Sequence, residues 1–232
     1  MKVKKQNKRI WESYKKFDES VNKDKKKGVY NALCNVIRGQ TEIGEENYDN
    51  FCVKLVRNLG PFADNPRNVG LISERCQILN HWVYYMTMKH NIPDHFTSQI
   101  FKKTNDIIFA SNKSRMCQYY SYKEKTNKPL NIIKLFNLSI VVNEIVSILK
   151  QENHKNSCSC GNFVSECTNI YKDMYRDYCS GVNKKDPKKD DTCFRLSTFK
   201  TFYESFISTN PDLKSKLPSL TNGTMNAIIP CE

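Results

Sequence analysis

Ten cysteines constrain the fold of this chain more than any other feature of its sequence. They are spread over most of the 232 residues: Cys34, Cys52, Cys76, Cys117, Cys158, Cys160, Cys167, Cys179, Cys193 and Cys231. An even number favours a disulfide framework in an oxidising compartment, whereas a reducing compartment would leave metal ligands or core thiols. Zinc sites usually contain CxxC pairs, and this sequence has only the pair Cys158-Ser159-Cys160, with His154 nearby. We therefore predict that all ten cysteines form disulfides.

Composition and hydrophobic periodicity predict an all-α fold. Gly and Pro are scarce, at 8 each, which disfavours a large β-sandwich or barrel. Apolar residues recur at helical spacing, with no strand alternation and no internal repeat. The length allows one sizeable core or two small ones. We expect a disulfide-stabilised bundle of about seven to nine helices in a single domain over residues 1–232, with a flexible basic N-terminus at about 1–8 and an irregular tail at about 208–232.

Helix signals set the expected boundaries. The predicted helices cover about 8–24, Tyr30–Ile37, about 47–59, about 68–90, Phe96–Ile108, Pro129–Lys150 and Phe163–Tyr178, and a last one is capped by Asp191 or Thr192. The helix over 68–90 has the strongest apolar face. We place Leu79, Trp82 and Tyr85 in the structural core, beside Cys76.

The net charge is +13, and residues 1–27 hold eleven Lys or Arg against four acidic residues. A second basic cluster comprises Lys184, Lys185, Lys188 and Lys189. Such clusters suit an acidic partner, namely nucleic acid, anionic lipid or a sulfated glycan, but they also occur on solvated helix faces and loops. No nucleic-acid motif accompanies the charge, so we favour the solvated surface and expect no nucleic-acid partner. A sulfated-glycan module stays an alternative.

Catalytic signatures are missing from the sequence, which has no GxSxG, P-loop, GxGxxG or HExxH motif. Cys76 and His81 are a conceivable nucleophile pair, so a cysteine-dependent effector enzyme is a second alternative. A cysteine beside a buried tryptophan is more often half of a disulfide. We therefore expect a protein that is not an enzyme, with no catalytic, cofactor-binding or metal-binding residues and no small-molecule substrate.

Surface features give two further expectations. Sequons occur at Asn112, Asn137 and Asn222, and the mid-helix position of Asn137 argues against a glycan there. A tyrosine-rich set could form a binding surface or pack in the core: Tyr84, Tyr85, Tyr119, Tyr120 and Tyr122.

A disulfide-rich chain is expected to carry an export signal, and this sequence does not show an ordinary one. No apolar region follows the basic residues 1–9, so the sequence shows no signal peptide. The most apolar run, Ile132–Leu149, includes Lys134 and Glu144 and suits a core helix better than a membrane span. We expect an excised ectodomain or an unconventional export route.

Three segments resemble the Plasmodium interspersed repeat (PIR) antigens of the vir type. The opening Trp11–Phe17 (WESYKKF), followed by a helix with Cys34, is similar to the start of that family. The segment Cys76–Tyr85 resembles its Cys-x-x-Leu-x-x-Trp-Leu-Tyr signature, and Cys167–Cys179 resembles its later Cys/Tyr helix. The resemblance covers most of the chain.

The resemblance implies the helical ectodomain of a variant surface antigen, exported to or near the surface of the infected erythrocyte. It implies a role in immune evasion, a host cell-surface receptor or antibody as partner, structural roles for the cysteines and Trp82, and sequons that carry no natural glycan. Family members usually continue into a membrane span, so the full-length form is expected to be membrane-anchored beyond Glu232.

Overall fold

The computed structural model describes residues 8–41, 48–62, 72–111, 116–151, 154–181, 186–221, 225–226 and 231. Within these ranges the chain forms nine α-helices and one 3-10 helix, and no strand, which confirms the all-α prediction. The helices are α1 Lys8–Asp18, α2 Lys27–Thr41, α3 Asp49–Leu59, α4 Ile72–His90, α5 Asp94–Ala110, α6 Tyr122–Lys125, α7 Pro129–Leu149, α8 Ser157–Cys179 and α9 Pro187–Thr209, and the 3-10 helix is Pro211–Leu213.

The chain groups into two compact units. The N-terminal unit is Ile10–Ser121, and the C-terminal unit is Tyr122–Glu232 together with Met1–Arg9. A length that allows two small cores suits this grouping, and the expectation of a single domain over residues 1–232 stays a prediction.

The N-terminal unit is built around α3, α4 and α5. Helix α2 packs against α3 and α5, and α3 also packs against α4 and α5. Leu79 and Trp82 are buried on α4. The Phe51 ring stacks on the Trp82 indole with a centroid distance of 5.8 Å, and the Phe17 ring is edge-on to it with a centroid distance of 6.1 Å. Burying each such side chain stabilises the fold by about 1.5–3 kcal/mol. Tyr85 differs from the prediction: its side chain is 41% exposed, so it lies at the rim of the core.

Helix α1 ends six residues before the predicted boundary because α3 caps it from the side. Arg57 donates to the carbonyls of Phe17 at 2.9 Å and Glu19 at 2.8 Å, and Asn58 Nδ2 donates to the Phe17 carbonyl at 2.8 Å. Those bonds satisfy carbonyls that a helix end leaves without partners. Helix α3 itself stops as its sequence predicts, at Gly60 in the left-handed conformation with φ 77°.

The C-terminal unit is a three-helix arrangement of α7, α8 and α9, with α6 and the 3-10 helix against α9. Its core contains packed aromatic rings: the ring centroids of Tyr171 and Phe199 are 5.8 Å apart in a tilted pair, and those of Phe199 and Tyr203 are 5.9 Å apart in a stacked pair. Helix α7 begins at Pro129, as predicted. The expected cap at Asp191 or Thr192 is wrong by about a turn and a half.

Helix α9 begins at Pro187, where the local start signal is stronger than at Asp191 or Thr192. The Asp186 carboxylate accepts from the backbone N–H of Lys188 at 3.0 Å and of Lys189 at 3.3 Å, and Pro187 takes the first helical position. An Asp cap followed by Pro is the favoured way to begin a helix, so the helix starts within the charged segment. Helix α8 likewise begins at Ser157, six residues before the predicted start at Phe163.

Four disulfides tie the helices together, and each lies within one unit. Cys34–Cys52 joins α2 to α3, and Cys76–Cys117 joins α4 to the segment after α5. Cys179–Cys193 joins α8 to α9, and Cys158–Cys231 fixes the tail to the start of α8.

Cys160 and Cys167 depart from the prediction of ten disulfide-bonded cysteines. Both are thiols on the buried face of α8, outside the four disulfides. They are seven residues apart on one helix, which separates their Cα atoms by roughly 10 Å along the axis. A disulfide needs Cα atoms closer than about 7 Å, so the two thiols cannot bond to each other. Of the neighbouring pair Cys158 and Cys160, only Cys158 forms a disulfide.

Candidate functional surface

The buried thiols have the wrong chemistry for a nucleophile. Desolvation, aided by Glu144, raises the pKa of the Cys160 thiol to about 11. Desolvation also raises the pKa of Cys167, despite the opposing charge of Lys134. A reactive cysteine needs a lowered pKa and access to solvent, and both side chains are fully buried. They behave as small apolar core residues.

The proposed pair of Cys76 and His81 cannot act as nucleophile and base. Cys76 is bonded to Cys117, so it presents no thiol. His81 is fully buried on α4, in the N-terminal unit's core. Within the described part of the chain, no group of three or more His, Cys, Asp or Glu side chains is placed to hold a metal ion.

The basic clusters are partly used within the fold. Lys188 Nζ donates to the Lys123 carbonyl at 2.8 Å, which joins the start of α9 to α6. Lys27 Nζ donates to Asn22 Oδ1 at 2.9 Å, and Lys26 Nζ donates to the Phe62 carbonyl at 2.5 Å. Lys184 and Lys185 lie outside the described residues. These lysines therefore stabilise turns and helix ends as well as contributing charge.

The tyrosine-rich segment 119–122 is mainly structural. Tyr119 Oη donates to Asp94 Oδ1 at 2.7 Å, and Ser121 Oγ donates to the same oxygen at 2.5 Å. Tyr122 is buried, and burial raises its pKa to about 12. Two of the three sequons, at Asn112 and Asn222, fall outside the described residues. Asn137 lies in the middle of α7 with its Oδ1 buried, so the side-chain amide, whose nitrogen would carry a glycan, is turned toward the protein.

Aromatic side chains from two helices form a row on the described surface of the N-terminal unit. The ring centroids of Trp11 and Tyr14 are 5.6 Å apart, those of Tyr14 and Tyr85 are 5.7 Å apart, and those of Tyr85 and Tyr84 are 6.0 Å apart. We call these four residues the aromatic row. It runs from α1 to α4, and Met88 follows Tyr85 by three residues on α4. Residues three apart on a helix lie on one face, so Met88 extends the row.

Comparison with known families decides the identity of the chain. The sequence model of the family described as Plasmodium vivax Vir protein matches residues 11–222. The chain belongs to the Plasmodium vivax Vir protein family. No curated protein and no solved structure matches it.

Vir membership suggests a Plasmodium variant surface antigen, exported or at a surface, and together with the all-helical fold it suggests a protein that is not an enzyme. The match begins at Trp11, the first member of the aromatic row. The matched range includes three complete disulfides and, of the fourth, Cys158 but not Cys231.

Helix α7 is the one described helix long and apolar enough to cross a membrane, with a mean hydropathy of 1.8 over an 18-residue window. A third of that window is buried, and α7 packs against α8 and α9. Its length and composition are those of a membrane anchor, and they are also those of the core helix of a soluble protein.

Sequence reasoning found the tyrosines of α4 but placed Tyr85 in the core, and it did not connect them with Trp11. The signal was present, because Trp11 and Tyr14 share a face of α1. The pairing of α1 with α4 is a tertiary contact that helical periodicity alone does not reveal.

Proposed function

We propose that this Vir chain is the ectodomain of a variant surface antigen, displayed on or near the infected erythrocyte and anchored in the membrane in its full-length form. In this proposal it contributes to immune evasion and binds a host cell-surface receptor or antibody. Catalysis has no part in it.

The observation that carries the proposal is the separation between framework and surface. Cys34 and Cys52 are at most 2% exposed, and the rings that pack around Trp82 are buried. Core positions are sensitive to single substitutions, whereas surface substitutions usually change stability by less than about 0.5 kcal/mol. A fold held from inside tolerates changes outside, which is what a variable antigen requires.

A surface-staining experiment tests display. Antibodies are raised against the oxidised chain and applied to intact infected erythrocytes, before and after trypsin treatment of the cell surface. We expect staining of intact cells that trypsin removes. Staining seen only after permeabilisation would contradict surface display.

The role of the framework is tested with the same antibodies. The reduced and alkylated chain should compete far less well for them than the oxidised chain, because the epitopes depend on the folded surface. Equal competition by the two forms would mean that the epitopes are linear, and the framework would then have no bearing on recognition.

A further inference from the structure

We propose that the aromatic row and Met88 form the centre of a docking surface for a host protein whose contact face combines an apolar pocket with surrounding carboxylates. This inference rests on the proposed function, because it names the surface and the partner chemistry through which the antigen would adhere.

Exposure of large apolar groups is the first observation. Trp11 is 40% exposed, Tyr85 41% and Met88 49%; the first two are linked through Tyr14 in the aromatic row, and Met88 lies one turn beyond Tyr85 on α4. Leaving such side chains in water forgoes the free energy that their burial would supply. Contiguous exposed apolar surface on a globular protein typically marks an interaction site.

The residue types fit a protein interface. Tryptophan, tyrosine and methionine are enriched at interface cores, and tryptophan and tyrosine dominate the residues whose truncation weakens binding most. The row is packed onto the core, because Phe17 of α1 contacts Trp82 while Tyr14 contacts Tyr85. A docking surface that is already ordered loses little entropy on binding.

Charge at the edge indicates the rest of the partner's chemistry. Lys15 follows Trp11 by four residues on α1, and Lys89 follows Tyr85 by four on α4, so each lies one turn from an exposed ring. Both lysines are exposed, and neither forms an ion pair with any residue that the structure describes. The exposed acidic residues of α1 are Glu12 and Asp18, and Asp18 pairs with Lys54. Acidic groups on a partner would meet two uncommitted ammonium groups, in a chain whose net charge is +13.

Ring geometry favours a protein over a glycan. Trp11 meets Tyr14 at an interplanar angle of 76°, and Tyr14 meets Tyr85 at 63°. Successive rings turned edge to face present a ridged surface, which side chains can interlock with, and they do not present the flat platform on which sugar rings stack. A second copy of this chain fits less well than an acidic partner, since it would add a second set of the same lysines to the interface.

Binding of the fluorescently labelled, oxidised chain to cultured host endothelial and erythroid cells tests the inference. The cells are used untreated, trypsin-treated or heparinase-treated. Variants Trp11→Ala and Tyr85→Ala are compared with Phe109→Ala, which truncates a more exposed aromatic residue on α5 of the same unit. Lys15→Glu and Lys89→Glu are compared with Lys102→Glu, an exposed lysine on α5. Non-reducing mass and circular dichroism establish that every variant folds.

We expect the Trp11 and Tyr85 variants to bind at least about tenfold more weakly, the loss typical of an interface hot spot, while Phe109→Ala stays within about twofold. Each charge reversal at Lys15 or Lys89 should weaken binding, and Lys102→Glu should not. Trypsin treatment of the cells should abolish binding, and heparinase should spare it.

Three results would overturn the inference while leaving surface display intact. They are unchanged binding by both aromatic variants, binding abolished by heparinase, and a dimer in light scattering that Trp11→Ala dissociates. Failure of the unmodified chain to bind any of the cells would instead refute the adhesive role itself, together with the inference, and surface staining would still report on display.

Discussion

Replacing both Cys76 and Cys117 with alanine should lower the free energy of unfolding of the N-terminal unit by about 4 kcal/mol. The disulfide closes a loop of 41 residues. Losing it restores about 13 cal/mol/K of entropy to the unfolded chain, by the loop-closure relation. Alanine is the better replacement because Cys117 is buried, and a serine hydroxyl there would need a hydrogen-bond partner.

The folded state should survive this change, because hydrogen bonds hold the same segment in place. Asn80 Nδ2 donates to the Gln118 carbonyl at 3.0 Å, Asn80 Oδ1 accepts from the Tyr120 backbone N–H at 2.9 Å, and Asn105 Nδ2 donates to the Cys117 carbonyl at 3.0 Å. The stability loss therefore arises in the unfolded chain, and the far-ultraviolet circular dichroism of the native state should not change.

Urea unfolding, followed by circular dichroism and tryptophan fluorescence, measures the effect. The control is the double alanine variant of Cys34 and Cys52, whose loop spans 18 residues and whose removal should cost about 3 kcal/mol. The reasoning is refuted by a loss below about 1 kcal/mol for the longer loop, or by a clearly larger loss for the shorter one.

Three further predictions concern single side chains. Thr104→Val should raise the free energy of unfolding by about 1 kcal/mol in thermal or urea unfolding, because the fully buried Thr104 hydroxyl has no hydrogen-bond partner among the described residues. A destabilised variant would show that the hydroxyl does form a hydrogen bond. Acrylamide should quench Trp11 and spare Trp82, so Trp11→Phe should remove nearly all quenchable emission, whereas quenching that survives in that variant would place Trp82 near solvent. Burial favours the neutral thiol of Cys160 in the folded state and raises its pKa to about 11. The stability that the neutral thiol contributes is therefore complete below about pH 8.5 and is lost as the pH rises through the folded-state pKa. Cys160→Ala should flatten the decline in the free energy of unfolding between these two pH values, measured by urea unfolding, and an unchanged decline would assign it to other groups.

The helices were predictable from sequence because their signals are local. Pro129 at a first helical position and Gly60 after a last one each act within a few residues, and both boundaries agree with the structure. The start of α9 is local too, and the Asp186-Pro187 pair carries it better than Asp191 or Thr192 does.

Tertiary consequences were harder to predict, and Tyr85 shows why. It lies three residues after the buried Trp82, at the border of the apolar face of α4. Helical spacing allows either environment at such a position, and a tyrosine can keep its hydroxyl in water while its ring packs. The contact with Tyr14 of α1, which sequence spacing cannot reveal, determines the side chain's environment.

The cysteines show the same limit. Their number predicts a framework, and four disulfides form. Pairing depends on which helices become neighbours, and this information is not local. Cys160 and Cys167 share the inward face of α8, where burial suits a thiol as well as it suits a disulfide.

Counting thiols tests the central claim, a fold held by four internal disulfides, most directly. The purified chain is treated with a maleimide under non-reducing conditions, natively and in denaturant, and the labelled positions are mapped by mass spectrometry. We predict no rapid labelling of the native chain and two labels in denaturant, at Cys160 and Cys167. Ten labels in denaturant would contradict the framework outright, and labels at any of the other eight cysteines would contradict the pairing.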